Sequence, residues 1–312
     1  MLKKYGPLII LGILMIILSF ASPYFLTTNN LTTVAIQTAV IGVITIGQLM
    51  IIVTGGIDLS LGSILAFSSV IAAMMLKSGT PLIVCLIVAI LIGAIAGYVN
   101  GTLVTKFKIP AFIATLGTGE ILRGSALIIT NGLPVSGLPK SISVFANGKI
   151  GFIPVPIFVF ALLAIIFQVM LSKTLIGRHV YALGSNVEAT RLAGINVGQR
   201  TRMVYMFAGI LAAIAGVLLL GRLTSAQPTA AMGYELDSIA ASVIGGASFL
   251  GGVGTAWGAI VGAFIITVLK NGFTLLHVNT FFQQAATGFV LVFAVYLDMI
   301  QRTKRRGSKK KV

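Results

Sequence analysis

The sequence predicts an all-α integral membrane protein of about ten transmembrane helices, with both termini cytoplasmic. Three observations carry that reading. The 312-residue chain is 57% hydrophobic and 9% charged, with a mean hydropathy of +1.06, whereas a soluble domain of this size needs far more surface charge. Its apolar stretches run to about 20 residues, the length at which a helix crosses a bilayer, not the ~10-residue alternation of a barrel strand. Sixteen of the 22 Lys and Arg residues fall in four places: Lys3-Lys4, Lys106/Lys108, the segment from Lys173 to Arg202, and the tail from Arg302 to Lys311. Placing all four in the cytoplasm satisfies the positive-inside rule. The net charge of +16 is then a matter of topology. No aromatic residue interleaves the basic run of the tail as on a nucleic-acid-binding surface, so nucleic acid is not expected as a partner; the tail suits anionic lipid headgroups.

Taken in order, the first span is expected at about 7–22. Lys3-Lys4, the apolar stretch and Ser19-Phe20-Ala21 imitate a cleavable secretion signal, but a retained span fits the charge topology of the rest of the chain. Spans come next at about 33–53, 57–76, 82–105 and 110–130, then an exterior loop from Asn131 to Ile153 with the breakers Pro134, Pro139 and Gly148. A span at about 154–172 leads into a cytoplasmic loop over 173–202, and the remaining spans are expected at about 203–222, 237–252, 254–275 and 280–300. Residues 1–300 thus form a single polytopic domain and 301–312 a basic cytoplasmic tail. Two spans are unusual. Segment 110–130 carries Glu120 and Arg123, one turn apart and expected to pair locally; 237–252 is short and loaded with glycine. Cys85 lies in an apolar span, so no disulfide or cysteine-rich metal framework is available.

Asp58 is the only acidic residue among the first 119 and sits inside a hydrophobic run, Ile51-Ile52-Val53-Thr54-Gly55-Gly56-Ile57-Asp58-Leu59-Ser60. An intramembrane carboxylate is costly unless paired, hydrogen-bonded or wet, and is a functional candidate for that reason. Gly55-Gly56 lets the backbone turn there. The expectation is a hinge in which Asp58 accepts hydrogen bonds from backbone amides at the start of the next helix. A weak echo of this stretch, Val243-Ile244-Gly245-Gly246 with Gly251-Gly252, recurs some 190 residues later; paired glycine-interrupted segments in the two halves of a transporter mark its pathway. Two ladders spaced by four, Gly93/Gly97/Gly101 and Gly254/Gly258/Gly262, are expected to be faces of close helix packing.

The segment 173–202 is the most polar part of the chain. Ser185-x-x-Glu188 reads as a capping box opening a short helix that includes Asn186, Ala189 and Arg191, and Gly194 suits the left-handed residue that closes it. Two turns cannot cross a bilayer, so this helix is expected to dock its apolar side on a cytoplasmic protein, the alternative being an amphipathic turn resting on lipid headgroups.

Three motifs in order resemble a known family: GGIDLSLGS at 55–63, the capped loop ending Ala193-Gly194-Ile195-Asn196-Val197, and Arg222-Leu-Thr-Ser-Ala-Gln-Pro-Thr with Gly233-Tyr234-Glu235-Leu236-Asp237 after it. From about residue 28 to 300 the chain is similar to the membrane permease subunits of bacterial ABC importers for monosaccharides. Ser238 and Lys270 depart from the family pattern, which commonly has a small apolar residue and Asn there.

The resemblance implies a homodimer in the bacterial inner membrane, bound to a cytoplasmic twin-cassette ATPase and an extracytoplasmic sugar-binding protein, with Ser185 to Gly194 as the coupling helix. It implies no catalysis and no cofactor in this chain; ATP and Mg belong to the partner ATPase. The residues agree. No phosphate-binding G-x-x-x-x-G-K-[ST] occurs, and neither H-E-x-x-H nor G-x-S-x-G is present; His179 and His277 read as polar loop residues. The alternative is an ion-coupled secondary carrier, whose relay would have to use Asp58 and Asp237, since Asp298 lies at a span end beside the basic tail. For a sugar, neutral lining groups suit best: Ser60, Asn100, Thr115, Thr118 and Asn271, with Gln37, Thr45 and Gln48. The competing expectation is that each hydroxyl bonds its own helix backbone. Arg222, Glu235 and Asp237 are expected to form a network at the exterior mouth, bracing a gate or meeting the binding protein.

Overall fold

The structure, a computed structural model, describes residues 2–309, without the side chains of 2–4, 145, 146, 294, 297, 298 and 300–309. The side chains of Lys3, Lys4, Asp298 and the basic tail are therefore not described. Five helices come first: α1 (Leu2–Ala21), α2 (Thr28–Val53), α3 (Leu61–Lys77), α4 (Leu82–Thr105) and α5 (Ala111–Thr130). A connection holds α6 (Lys140–Asn147) and the two-residue hairpin strands β1 (Lys149–Ile150) and β2 (Ile153–Pro154). Then come α7 (Val155–Lys173), α8 (Leu175–Ser185), α9 (Val187–Leu192), α10 (Val197–Leu223), α11 (Tyr234–Ile244), α12 (Ala256–Leu275) and α13 (Thr280–Lys309). Among the described residues, α2, α4, α5, α7, α10 and α12 are long and apolar enough to cross a membrane; α1, α3 and α13 contain shorter apolar stretches.

Local chemistry sets the ends. Pro81, Pro110 and Pro154 stand just before α4, α5 and α7, where a missing N–H costs nothing and the fixed φ suits a helix start. Thr27 caps α2 by accepting from the Asn30 amide. Asn131 (φ 51) ends α5 in the left-handed region.

The centre belongs to α2 and α10. Both are apolar around most of their circumference, as a helix enclosed by others must be. α4 lies along α10 through its glycine ladder: a Cβ on Gly93 would overlap the Gly209 carbonyl, one on Gly97 the Tyr205 carbonyl, and one on Gly101 would stand 2.6 Å from Arg202 Cα. With no hydrophobic drive between helices in lipid, such backbone approach supplies the packing energy. The second ladder is split. Gly258 and Gly262 of α12 press on the carbonyls of Gly245, which caps α11, and Ala241 within it, but Gly254 precedes the helix and faces Leu49 and Val53.

Four expectations need correction. The loop expected over 131–153 is structured: Ile142 of α6 is buried, and Asn147 Nδ2 donates to the Gly221 carbonyl of α10 at 3.2 Å. The span expected at 237–252 is an eleven-residue helix ending at Ile244, because Gly246, Gly251 and Gly252 adopt φ of +96, +81 and +72, which helical backbone excludes. α3 starts at Leu61 rather than 57, leaving 54–60 as a true break after α2. The last helix continues past 300 to Lys309, so the tail begins as its extension.

Candidate functional site

Two breaks interrupt the helices, residues 54–60 between α2 and α3 and residues 245–255 between α11 and α12. The first leaves α2 through Gly55 (φ +84) and runs beside α5, where a Cβ on Gly119 would stand 3.3 Å from Leu59 O. Its polar groups are clasped from three helices. Asp58 is fully buried and accepts at Oδ1 from the Ser60 amide (2.7 Å) and the Ser60 hydroxyl (2.6 Å). Ser60 Oγ in turn accepts from Asn100 Nδ2 of α4 at 2.7 Å, and the same amide reaches Asp58 Oδ2 at 3.5 Å. The Leu59 N–H donates to Thr115 Oγ1 of α5 at 3.0 Å, and the Tyr205 hydroxyl of α10 donates to the Ile57 carbonyl at 3.2 Å. Asp58 thus satisfies the amide at the start of α3, as expected of the hinge, with its charge toward the positive end of that helix. Asn100 and Thr115, expected to line a pathway, are used on this clasp.

A strap between α10 and α11 closes over the same region. Arg123 Nη1 donates to the Pro228 and Ala230 carbonyls, each at 2.7 Å. No ion pair joins it to Glu120 among the described residues; Glu120 is exposed, and Glu235 acts on the guanidinium more strongly. Glu235 accepts from the Gly233 amide at 3.2 Å, and its other oxygen lies against Gly62, at the start of α3.

The expected network of Arg222, Glu235 and Asp237 does not form. Asp237, buried, is paired with Lys270 of α12, whose ammonium also stands 5.8 Å over the Tyr234 ring. No ion pair joins Arg222 to either acid among the described residues. Glu235 instead lies against Gly62, just after the first break. Asn271 exchanges two amide hydrogen bonds with Asn30, at 3.0 and 2.8 Å, tying α12 to the start of α2. Thr118 bonds the Ala114 carbonyl of its own helix. On α2, Gln48 and Thr38 are fully buried with side-chain polar atoms that find no partner among the described residues. That is unspent hydrogen-bonding capacity in the interior, and residue type alone does not show it.

In the loop between α7 and α10, Asn186 caps α9 by accepting from the Ala189 amide at 3.0 Å, while Ser185 Oγ donates back to Tyr181 O as the last residue of α8. The expected Ser185/Glu188 capping box is not seen among the described residues: Asn186 is the cap, one residue later, and Glu188 pairs with Arg191 at 2.9 Å. Gly194 takes the left-handed conformation (φ +78). α9 presents Leu192 to the outside, 88% exposed. His179 is in α8 rather than a loop. Beside α9, a cavity of about 630 Å³ runs under the first break, lined by Thr54, Gly55, Gly56, Lys108, Arg191 and Tyr205 among others.

Residues 30–295 match the family model described as the branched-chain amino acid transport system permease component. The chain belongs to this family of ABC permeases. It is 44% identical to the ribose import permease protein RbsC of Bacillus subtilis, over 95% of this chain and 93% of that one. It is 41% identical to RbsC of Escherichia coli K12, over 95% and 94%, and 38% identical to the D-allose transport system permease protein AlsC of the same strain, over 95% and 92%. No solved structure matches the chain. The family model is described by amino acids and these relatives by sugars, so the family name does not settle the solute of this permease. It is a membrane protein and a transport subunit.

Proposed function

We propose that this permease forms the translocation pathway of an ATP-driven importer for a monosaccharide, ribose or a related pentose or hexose. The observation that carries the reading is 44% identity over 95% of the chain to a ribose import permease. In the proposed assembly two copies of the chain pair in the cytoplasmic membrane, a twin-cassette ATPase docks on α9, and a sugar-binding protein delivers the solute from the other side. The chain crosses ten times, α11 with residues 245–255 making one crossing, and both termini face the cytoplasm.

The site supports this over ion coupling. Asp58 is held by Ser60 and Asn100, and Asp237 by Lys270. Each carboxylate is bound into the structure by its own partners. The buried neutral groups Gln48, Thr38 and Asn100, each with an unpaired polar atom, suit the hydroxyls of a sugar better than an ion. The permease is to be reconstituted in liposomes with an ATPase and binding protein encoded beside it. ATP-dependent uptake of labelled ribose, reduced by unlabelled allose or galactose only where the binding protein accepts them, is expected. Uptake that ignores ATP and tracks an imposed ion gradient rules the reading out.

A further inference from the structure

We propose that Gly184 and Tyr181 of α8 are the positioning residues that carry movement of α9 into both helix breaks at once. The inference rests on the proposed docking of the ATPase on α9. Its own ground is a junction where three backbone segments meet with no side chain between them.

α8 and α9 are separated by Asn186 alone, whose side chain caps α9 while its amide still bonds the Ala182 carbonyl of α8. A displacement of α9 is therefore felt in the last turn of α8. In that turn Gly184 lies directly on the end of α2: a Cβ there would overlap the Val53 carbonyl and the Gly252 amide. From the other side, a Cβ on Gly251 would stand 2.8 Å from Gly184 O and 3.1 Å from Gly55 N, and one on Gly252 2.6 Å from Ser185 Oγ. The two breaks are themselves joined, since the Gly252 amide donates to the Val53 carbonyl at 2.8 Å. One turn earlier, the Tyr181 hydroxyl donates to the Gly254 carbonyl at 2.7 Å, just before α12.

Each half of the chain thus contributes a glycine break, and the two breaks share one contact point with α8. Close-packed backbone transmits displacement because no rotamer is there to absorb it. Gly55, Gly251 and Gly252, all at positive φ, stand beside that point, where the chain can turn. Gly184, Gly251 and Gly252 must remain free of side chains for the end of α8 to lean on this point.

The test uses the whole importer in proteoliposomes and reads sugar transported per ATP hydrolysed. Gly184→Ala is expected to keep ATPase co-purification and sugar-stimulated hydrolysis while the ratio falls about tenfold, within the usual range of coupling between sites. Tyr181→Phe, which removes one hydrogen bond and no volume, is expected to lower the ratio about threefold to fivefold, and it decides the matter alone should Gly184→Ala fail to accumulate. A wild-type ratio in Tyr181→Phe, or transport and hydrolysis falling together in both variants, overturns the proposal. If the wild-type importer itself shows no ATP-driven uptake, the functional reading fails first and the inference falls with it.

Discussion

The two breaks are alike in sequence and opposite in construction. Residues 54–60 are held by side chains: Ser60, Asn100, Thr115 and Tyr205 converge on Ile57, Asp58 and Leu59 from within the segment and from α4, α5 and α10. Residues 245–255 are held mainly by backbone. The Ser248 amide bonds the Val253 carbonyl at 3.0 Å, the Gly251 amide bonds the Ser248 carbonyl at 2.9 Å, and Tyr181 supplies a side-chain tie from α8. A buried polar network specifies one arrangement, because each member left unpaired is penalised in a low-dielectric interior. A backbone loop with several positive-φ glycines has other conformations within reach. The first break is thus the more firmly specified of the two.

That contrast can be broken by substitution. The largest effect is expected at Asp58→Ala, which strands the Ser60 amide and the Ser60 hydroxyl without their acceptor. At about 1–3 kcal/mol for each unsatisfied buried group, the loss should exceed that of any single change in the second break, read as a fall in the thermal midpoint of detergent-purified protein. A midpoint close to wild type would mean that the clasp is not what fixes the first break. Gly246→Ala should do less. Nothing stands within 4 Å of a Cβ there, and only the φ of +96 opposes it, so the cost is backbone strain of about 1–2 kcal/mol. A larger loss would show that the second break is as tightly specified as the first.

Much of this was legible in the sequence for reasons of local geometry. Asp58 beside Ser60, at the start of an apolar run, can hardly avoid bonding the next amides, and the structure has it doing so. Gly93, Gly97 and Gly101 share a helix face by spacing alone, and that face is where α10 comes close. Gly194 closes α9 as its position suggested. What was not legible is pairing across the fold. Glu120 and Arg123 satisfy every local rule for an ion pair, yet Arg123 reaches the Pro228 and Ala230 carbonyls more than a hundred positions away. Lys270 stood out only as a departure from a family pattern, and the charge it answers, Asp237, lies 33 residues earlier on another helix. The cap of α9 was missed by one residue because Ser185 and Asn186 are both good caps; α8 runs on through Ser185 and decides between them.

The smallest effect, and the most direct test of the central claim that Asp58 is a structural hinge in an ATP-driven permease, is expected at Asp58→Asn. The Asn oxygen can still accept both bonds from Ser60, and its amide can turn to Asn100 Oδ1, which has no partner among the described residues. ATP-driven uptake in proteoliposomes, measured with and without a proton gradient, should stay within about twofold of wild type, the change expected when a hydrogen bond is replaced rather than lost. Abolished uptake by a variant that still assembles with its ATPase, together with gradient-driven uptake by the wild type, would contradict the hinge and make Asp58 a proton-coupling group.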